Sequence, residues 1–501
     1  MWEKEKPKKI VIVGSGLAGL HVAAGVSKFG VKPIIFEQNR IFGGRTASYN
    51  VGGFWFDQCS HMSFKLGPPL PPSTVQTYIH DAVGTVHIPQ VECKGTSAMG
   101  FYYKGKYYPA EKVFPIGAGY DRNFTKKVFS YLTDEDLNKI EYICREAVAD
   151  CNKALTADVL TEYGFADFRK VPPGRVRNWL SKYTDKESIH KYWSEMVKMY
   201  TGIEVDENME QGVYGTTFVT IMLLTGLIQF SYPYHPQYGG DAAWVNPLVD
   251  VILARGEEIR TCTPVKRVVI ENGKVKGVIV VEDGEEKFVE SDIVVVDVRP
   301  RIALKEGLVT ENELKAWDPA TLESIKDIEK EQWWEGAVVT WNVALSRKVT
   351  DEEAEVSFMD NNGHIVGLYV TKPTSAPPGM QHIIFHSYLS KKKLYPNGKL
   401  DYSVAREAVD TLRRHAIESW GKIFEESILF SEVHTMNETY GIYAAWDPEA
   451  KLAPMKSPIE GLYWAGDESE PAGIGLPARS VGGIKIAEDI VKAKIYIPPK
   501  E

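Results

Sequence analysis

Gly14, Gly16 and Gly19 stand in a Gly-x-Gly-x-x-Gly array, directly after the apolar run Ile10 to Val13 and before an Ala- and Val-rich stretch. A turn of this kind can hold phosphate. Gly14 permits a tight bend, Gly16 lets the backbone approach a pyrophosphate, and Gly19 allows close helix packing, while the N-terminus of the following helix offers N–H groups to the anion. A second apolar run, Lys32 to Phe36, ends in Glu37, whose carboxylate can accept from ribose hydroxyls. Strand, turn, helix, strand and acid therefore follow the order of a dinucleotide-binding β-α-β unit. Its expected contacts are Gly14, Gly16, Leu17, Ala18, Gly19, Glu37 and Gln38. Near the opposite end, Gly461-Leu-Tyr-Trp-Ala-Gly466-Asp467 reads as the other half of the same site.

The elements that must position these groups have room to form. The chain has 501 residues, 44% hydrophobic and 25% charged, enough for two or three domains. Its net charge of -9 argues against a nucleic-acid partner, which needs a basic surface. Cys59, Cys93, Cys144, Cys151 and Cys262 form no CxxC pair, so neither a zinc site nor a disulfide framework is expected, and no other metal is called for. No signal peptide is visible, and a cytoplasmic protein is expected. The long apolar stretch 216–230 falls short of the roughly twenty residues of a spanning helix. It reads as a buried helix, leaving room for a peripheral membrane contact or a lipid tunnel wall.

Proline and tyrosine crowd residues 66–120, which read as loops and short strands, whereas 133–230 are patterned as helices. Tyr238-Gly239-Gly240-Asp241 precedes an amphipathic helix reaching Ala254. After it come β-branched runs, Pro264 to Glu271, Lys274 to Glu282 and Lys287 to Asp297, separated by Asn-Gly and Asp-Gly turns that imply an antiparallel meander. The predicted fold is α/β (α+β mixed), with a Rossmann-like domain carrying the meander and an inserted, discontinuous substrate domain. Residues 1–90, 232–300 and 426–501 form the first, and 91–231 and 301–425 the second. No second Gly-x-Gly-x-x-Gly follows the later strands, so a built-in nicotinamide domain is not expected.

Gly43-Gly44-Arg45, followed by Gly52-Gly53-Phe-Trp-Phe-Asp57, resembles the flavin amine oxidase and phytoene desaturase superfamily. The order Tyr-x-Gly-Gly, helix, Arg255-Gly256, Thr263-Pro-Val265 and meander resembles the middle of phytoene desaturases. The resemblance covers most of the chain in three blocks. It implies FAD, with Gly44 and Arg45 near its pyrophosphate, Val265 offering backbone to adenine, Gly466 and Asp467 approaching the ribityl and pyrophosphate, and Gly475 and Leu476 opening a helix under the isoalloxazine. No cysteine follows Cys262, so the C-terminal thioether of monoamine oxidases is excluded and FAD is expected to be non-covalent.

Amine oxidases of this superfamily flank the ring with tyrosines and many carry a lysine on a late strand. Here Glu468 to Val481 hold no aromatic residue, and Ala337 to Leu345 hold no lysine. Pro471-Ala-Gly473-Ile-Gly475-Leu-Pro477 instead matches the phytoene desaturase pattern, although Ala478 stands where glycine is usual. The resemblance thus implies desaturation, saturation or isomerisation of carbon–carbon bonds in an apolar, isoprenoid- or lipid-like substrate. An external electron acceptor, oxygen or a quinone among the choices, and the oligomeric state stay open. A flavin amine oxidase is the alternative enzyme. A binding protein resembling GDP-dissociation inhibitors is the non-enzyme alternative, opposed by the intact Gly14, Gly16, Gly19, Glu37 and Arg45.

Candidate catalytic residues are Asp241, Glu470 and Arg479, since a carboxylate beside a flavin could remove a proton while the flavin takes a hydride. Against these roles, Asp241 could cap its helix, Glu470 could be a solvated loop residue, and Arg479 could pair with a carboxylate. Trp244, His61 and Tyr443 are candidates for the substrate wall, with core packing as the competing role.

Overall fold

The computed structural model describes residues 9–58, 75–88, 90–92, 99–115, 119–154, 180–201, 234–236, 239–315, 317–327, 336–353, 355–436, 452–466, 469–470 and 475–497. Ile10–Val13 and Ile293–Val296 are apolar at every position and buried at every position. Strands without a polar face belong inside a parallel sheet covered on both sides. They lie side by side in a five-stranded sheet with the order Leu462–Trp464, Ile293–Val296, Ile10–Val13, Pro33–Phe36, Glu258–Arg260, and every pairing is parallel. Side chains alternate between its faces. Ile10, Ile12, Ile35, Ile293 and Val295 pack against the helices Leu17–Ser27, Ala242–Ala254 and Gly475–Val491. Val11, Val13, Phe36, Val294 and Val296 face the other way, toward the meander and Ala303, Leu314, Trp317 and Ile325.

The meander forms as Val265–Glu271, Lys274–Glu282 and Glu285–Glu290. Asn272 and Gly273 have φ of 54° and 73°, and Asp283 and Gly284 have 54° and 81°, the paired positive angles of two-residue hairpin turns. The third expected run, Lys287 to Asp297, is divided at Ser291 and Asp292, because Ile293–Val296 leaves the meander to pair with Ile10–Val13. Its four buried β-branched residues suit a covered parallel sheet and not a strand whose partner face is in water.

The chain's two ends meet in a helix pair. Leu17–Ser27 packs against Gly475–Val491, and a Cβ on Gly483 would come within 2.4 Å of the Ala18 carbonyl oxygen. Glycine is needed there for the backbones to touch.

The second unit is a seven-stranded sheet in the order Ile428–Met436, Gly336–Leu345, Gln381–Ser390, Ile365–Thr371, Glu355–Met359, Met99–Tyr103, Lys106–Pro109. One face is closed by the helix Tyr402–Trp420, whose Leu412 and Ala416 join Trp341, Phe358, Tyr369 and Phe385 in an aromatic core. Two segments depart from the expected division. Ile428–Met436 pairs with Gly336–Leu345 here and not within the dinucleotide unit, and residues of 301–315 and 317–327, Ala303, Leu314, Trp317 and Ile325 among them, pack on the parallel sheet. Val75–Val83, read as loop, is a helix with Ile79, His80 and Val83 buried.

Candidate functional site

At the C-terminal edge of the parallel sheet the backbone is bare. Gly14 and Gly16 keep accessible surface between buried neighbours, and Gly44 is exposed beside them. Gly14 has φ of 96°, where an L side chain is strained. The Gly43–Arg45 turn closes over Gly16, with the Gly43 amide donating to the Ser15 carbonyl at 2.8 Å. Gly16 is the N-cap of Leu17–Ser27 and offers no side-chain cap. The first turn of that helix leaves amides without intrahelical acceptors.

Two acids frame the turn. Glu37 is only 4% exposed. Its Oε2 accepts from the Ser15 amide at 2.9 Å and the Ser15 hydroxyl at 2.7 Å, and its Oε1 accepts from the Asn39 amide at 2.8 Å and Nδ2 at 2.9 Å. Glu37 therefore shapes the turn, and a ribose hydroxyl reaching it would replace the Asn39 side-chain bond. The second acid, Asp297, ends Ile293–Val296 as Glu37 ends Pro33–Phe36. Its Oδ2 accepts from the Gly19 amide at 2.8 Å, so it caps the helix from another strand where Gly16 cannot. Burial chiefly, with Glu37 adding to it, pushes the Asp297 carboxyl up to about 7 against the opposing pull of the Gly19 amide, Arg479 and Arg45.

A third cluster joins the two units. Lys372, fully buried just past Ile365–Thr371, donates to Asp57 Oδ2 at 2.7 Å and to Asp241 Oδ1 at 3.0 Å. The Asp241 amide donates to Asp57 Oδ1 at 3.1 Å. Gly240 has φ of 55°, and a Cβ there would meet Asp57 Oδ1 at 2.9 Å, so this position of the Gly-Gly-Asp motif lets its turn press onto the acid. Burial would lower the Lys372 pKa, but the charges of Asp241 and Asp57 raise it above the usual lysine value. The network continues through Ser375, which donates to the Lys372 carbonyl at 2.7 Å and lies 2.9 Å from His382 Nδ1.

The structure sorts the predicted residues. Asp241 sits at the N-cap of Ala242–Ala254 yet makes no side-chain cap bond, being engaged by Lys372. Arg479, 9% exposed, donates to the Gly466 carbonyl at 2.6 Å and so holds the Ala465–Gly466 segment. Glu470 is exposed, and its amide is bonded to the Ala453 carbonyl at 2.9 Å. Trp244 is wholly buried in the core between helices, 5.4 Å from the His80 ring, so it packs and does not line a substrate face. Leu17 and Ala18 are buried, leaving backbone alone for a ligand, and Gln38 is exposed. The Thr263 amide donates to the Glu37 carbonyl, which brings the start of Val265–Glu271 beside the acid. Leu476 is nearly buried in the first turn of Gly475–Val491. His61, Asp467, Tyr443 and the stretch 216–230 lie outside the described residues.

Sequence reasoning missed Lys372 and Asp297. The only signal for Lys372 was that two acids at the ends of apolar elements, Asp57 and Asp241, require a buried cation. For Asp297 it was the parity with Glu37, an acid closing an all-apolar run.

A dinucleotide fits these residues: accessible glycine backbone, a helix N-terminus without its own cap, an acid at the adenosine side, and Arg45 in the turn that closes over Gly16. The sequence pattern of flavin containing amine oxidoreductases matches residues 17–478. A 64-residue stretch, 13% of the chain, is 38% identical to 15-cis-phytoene desaturase of Arabidopsis thaliana. A 63-residue stretch is 40% identical to 1-hydroxycarotenoid 3,4-desaturase of a Flavobacterium. Each match spans only 11% of the desaturase. The fold is similar to that of an oxidoreductase from Methanosarcina mazei, with TM-score 0.60 and 19% identity over 96% of this chain and 100% of that one. It is also similar to cyclohexylamine oxidase from Brevibacterium oxydans, with TM-score 0.59 and 14% identity over 97% and 100%.

Proposed function

The chain belongs to the flavin containing amine oxidoreductase family, and from this premise we propose that it is an enzyme holding FAD without a covalent bond and acting on carbon–carbon bonds of an apolar, isoprenoid- or lipid-like substrate. FAD, when bound, accepts or returns the two electrons of such a step. Gly14, Gly16, Gly19, Gly44 and Arg45 would hold its phosphates, Glu37 its adenosine ribose, and the Gly466 backbone, fixed by Arg479, the stretch between phosphates and ring.

The observation that carries the substrate class is the make-up of the Gly336–Leu345 strand. It is buried from Ala337 to Leu345, and its one carboxamide, Asn342, lies 3.1 Å from His382 Nε2. It presents no amine-handling lysine, and the buried lysine nearby, Lys372, is held by two carboxylates. The short identities to two carotenoid-pathway desaturases support the same reading.

Acid precipitation should release all yellow colour into the supernatant, and a protein that neither carries nor takes up FAD refutes the reading. Stopped-flow bleaching under nitrogen, with amines set against isoprenoids and unsaturated lipids, tests the substrate class. Rapid reduction by an amine with none by the lipids would place the enzyme among amine oxidases.

A further inference from the structure

The glycine turn that the proposed function assigns to the phosphates already has an acid of the chain resting against it. Asp297 lies deep in the molecule but keeps part of its surface accessible. A Cβ on Gly16 would sit 2.6 Å from its Oδ2 and 3.3 Å from its Oδ1, so the carboxyl rests against the patch of backbone that the second glycine bares. Oδ2 takes the Gly19 amide, while Oδ1 has no hydrogen bond among the described residues. Among the described residues, the charged groups around it are Glu37 from the Pro33–Phe36 strand, Arg45 from the glycine turn and Arg479 from the closing helix. The opening helix contributes only its amide, because His21 is turned to the Leu17 carbonyl on the buried side.

Pyrophosphate brings two negative charges to this helix N-terminus, next to Asp297 and with Glu37 behind it. Like charges brought together at a site screened from water repel strongly. Neutralising one of them removes that repulsion and turns an acceptor into a donor.

We propose that Asp297 is a ligand of the dinucleotide phosphates, acting as a neutral carboxylic acid that keeps Oδ2 on the Gly19 amide and donates from Oδ1 to a phosphate oxygen. FAD binding then takes up one proton, which moves from solvent to Asp297 with no other bond made or broken. This assignment rests on the FAD reading above.

The test follows FAD itself. FAD-loaded protein is diluted into buffers across neutral pH, and released flavin is read from its fluorescence. With the free carboxyl titrating near 7, the dissociation constant should rise about thirtyfold between about pH 6 and about pH 8.5. Asp297→Asn, a neutral group of the same shape, should bind FAD with a flat pH profile and more tightly than wild type at the alkaline end. Direct titration near about pH 8 in weak buffer should show close to one proton taken up per FAD by wild type and none by the variant. A flat wild-type profile, or the same slope in both proteins, overturns the proposal while leaving FAD binding intact. Failure of wild type to bind FAD at any pH overturns the FAD reading and the proposal with it.

Discussion

Replacing Lys372 with methionine should be costly out of proportion to the volume changed. The ammonium is fully buried and satisfies two acids, Asp57 at 2.7 Å and Asp241 at 3.0 Å. Methionine fills most of the space but leaves both carboxylates desolvated and close to each other. Breaking a buried pair by removing one partner typically costs about 3–5 kcal/mol, and the chain lowers that cost by protonating one acid. The sign with pH follows. In the variant at least one folded-state carboxyl pKa is raised above its unfolded value near 4. Stability is therefore retained at low pH and lost as pH rises through the folded value, so the deficit against wild type should be larger at about pH 7.5 than at about pH 5.5. For a chain of 501 residues, unfolding entropy of about 2 cal/mol/K per residue converts about 4 kcal/mol into a midpoint shift of about 4 °C. Thermal melts followed by circular dichroism at both pH values measure this. The variant carrying Asn at positions 57 and 241 as well should recover most of the loss, since an uncharged, filled cluster has no charge to strand. A single variant melting within about 1 °C of wild type at both pH values would refute the description of the cluster as mutually dependent.

Acid should weaken the protein before carboxylates of ordinary pKa titrate: burial lowers the pKa of His21 to about 4 and those of His382 and His386 to about 3. These neutral rings are fully stabilising above the unfolded value near 6.5, and at about pH 5 each should have cost about 2 kcal/mol, read as a falling urea midpoint between those pH values; an unchanged midpoint would count against their burial. Gly483→Val should separate the opening and closing helices, because even a Cβ would lie 2.4 Å from the Ala18 carbonyl; purified variant should be low in flavin and melt early, and wild-type flavin content would contradict the contact. Glu37→Ala removes four hydrogen bonds from Ser15 and Asn39, so it should lose FAD more than Asn39→Ala does, as measured by flavin content after gel filtration; equal loss would mean that Glu37 does not shape the turn.

What could be read from the chain alone was whatever depends on local backbone. The Gly14 bend, the Asn272-Gly273 and Asp283-Gly284 turns and the all-apolar strands each follow from a residue's own φ preference or from burial on two faces. What could not be read depends on partners far away in sequence. Trp244 has the composition of a substrate wall, and only the packing of three helices makes it core. Asp241 looks like a helix cap or a base until Lys372 arrives from the other unit. The strand Ile293–Val296 looks continuous with the meander because periodicity carries no information about which sheet a strand joins.

The central strand Ile10–Val13 is flanked by Pro33–Phe36, made soon after it, and by Ile293–Val296, which in turn waits for Leu462–Trp464. On a ribosome working at about 5–20 residues per second, the opening strand and its glycine turn exist for on the order of half a minute before the helix that covers them has emerged. Until then the nascent chain exposes a row of isoleucine and valine side chains, the kind of surface that chaperones bind and that aggregates when they do not. Completion of the surroundings of the glycine turn is thereby tied to synthesis of the helix Gly475–Val491: a polypeptide that stops before it carries Gly14, Gly16 and Gly19 and no stable place to use them.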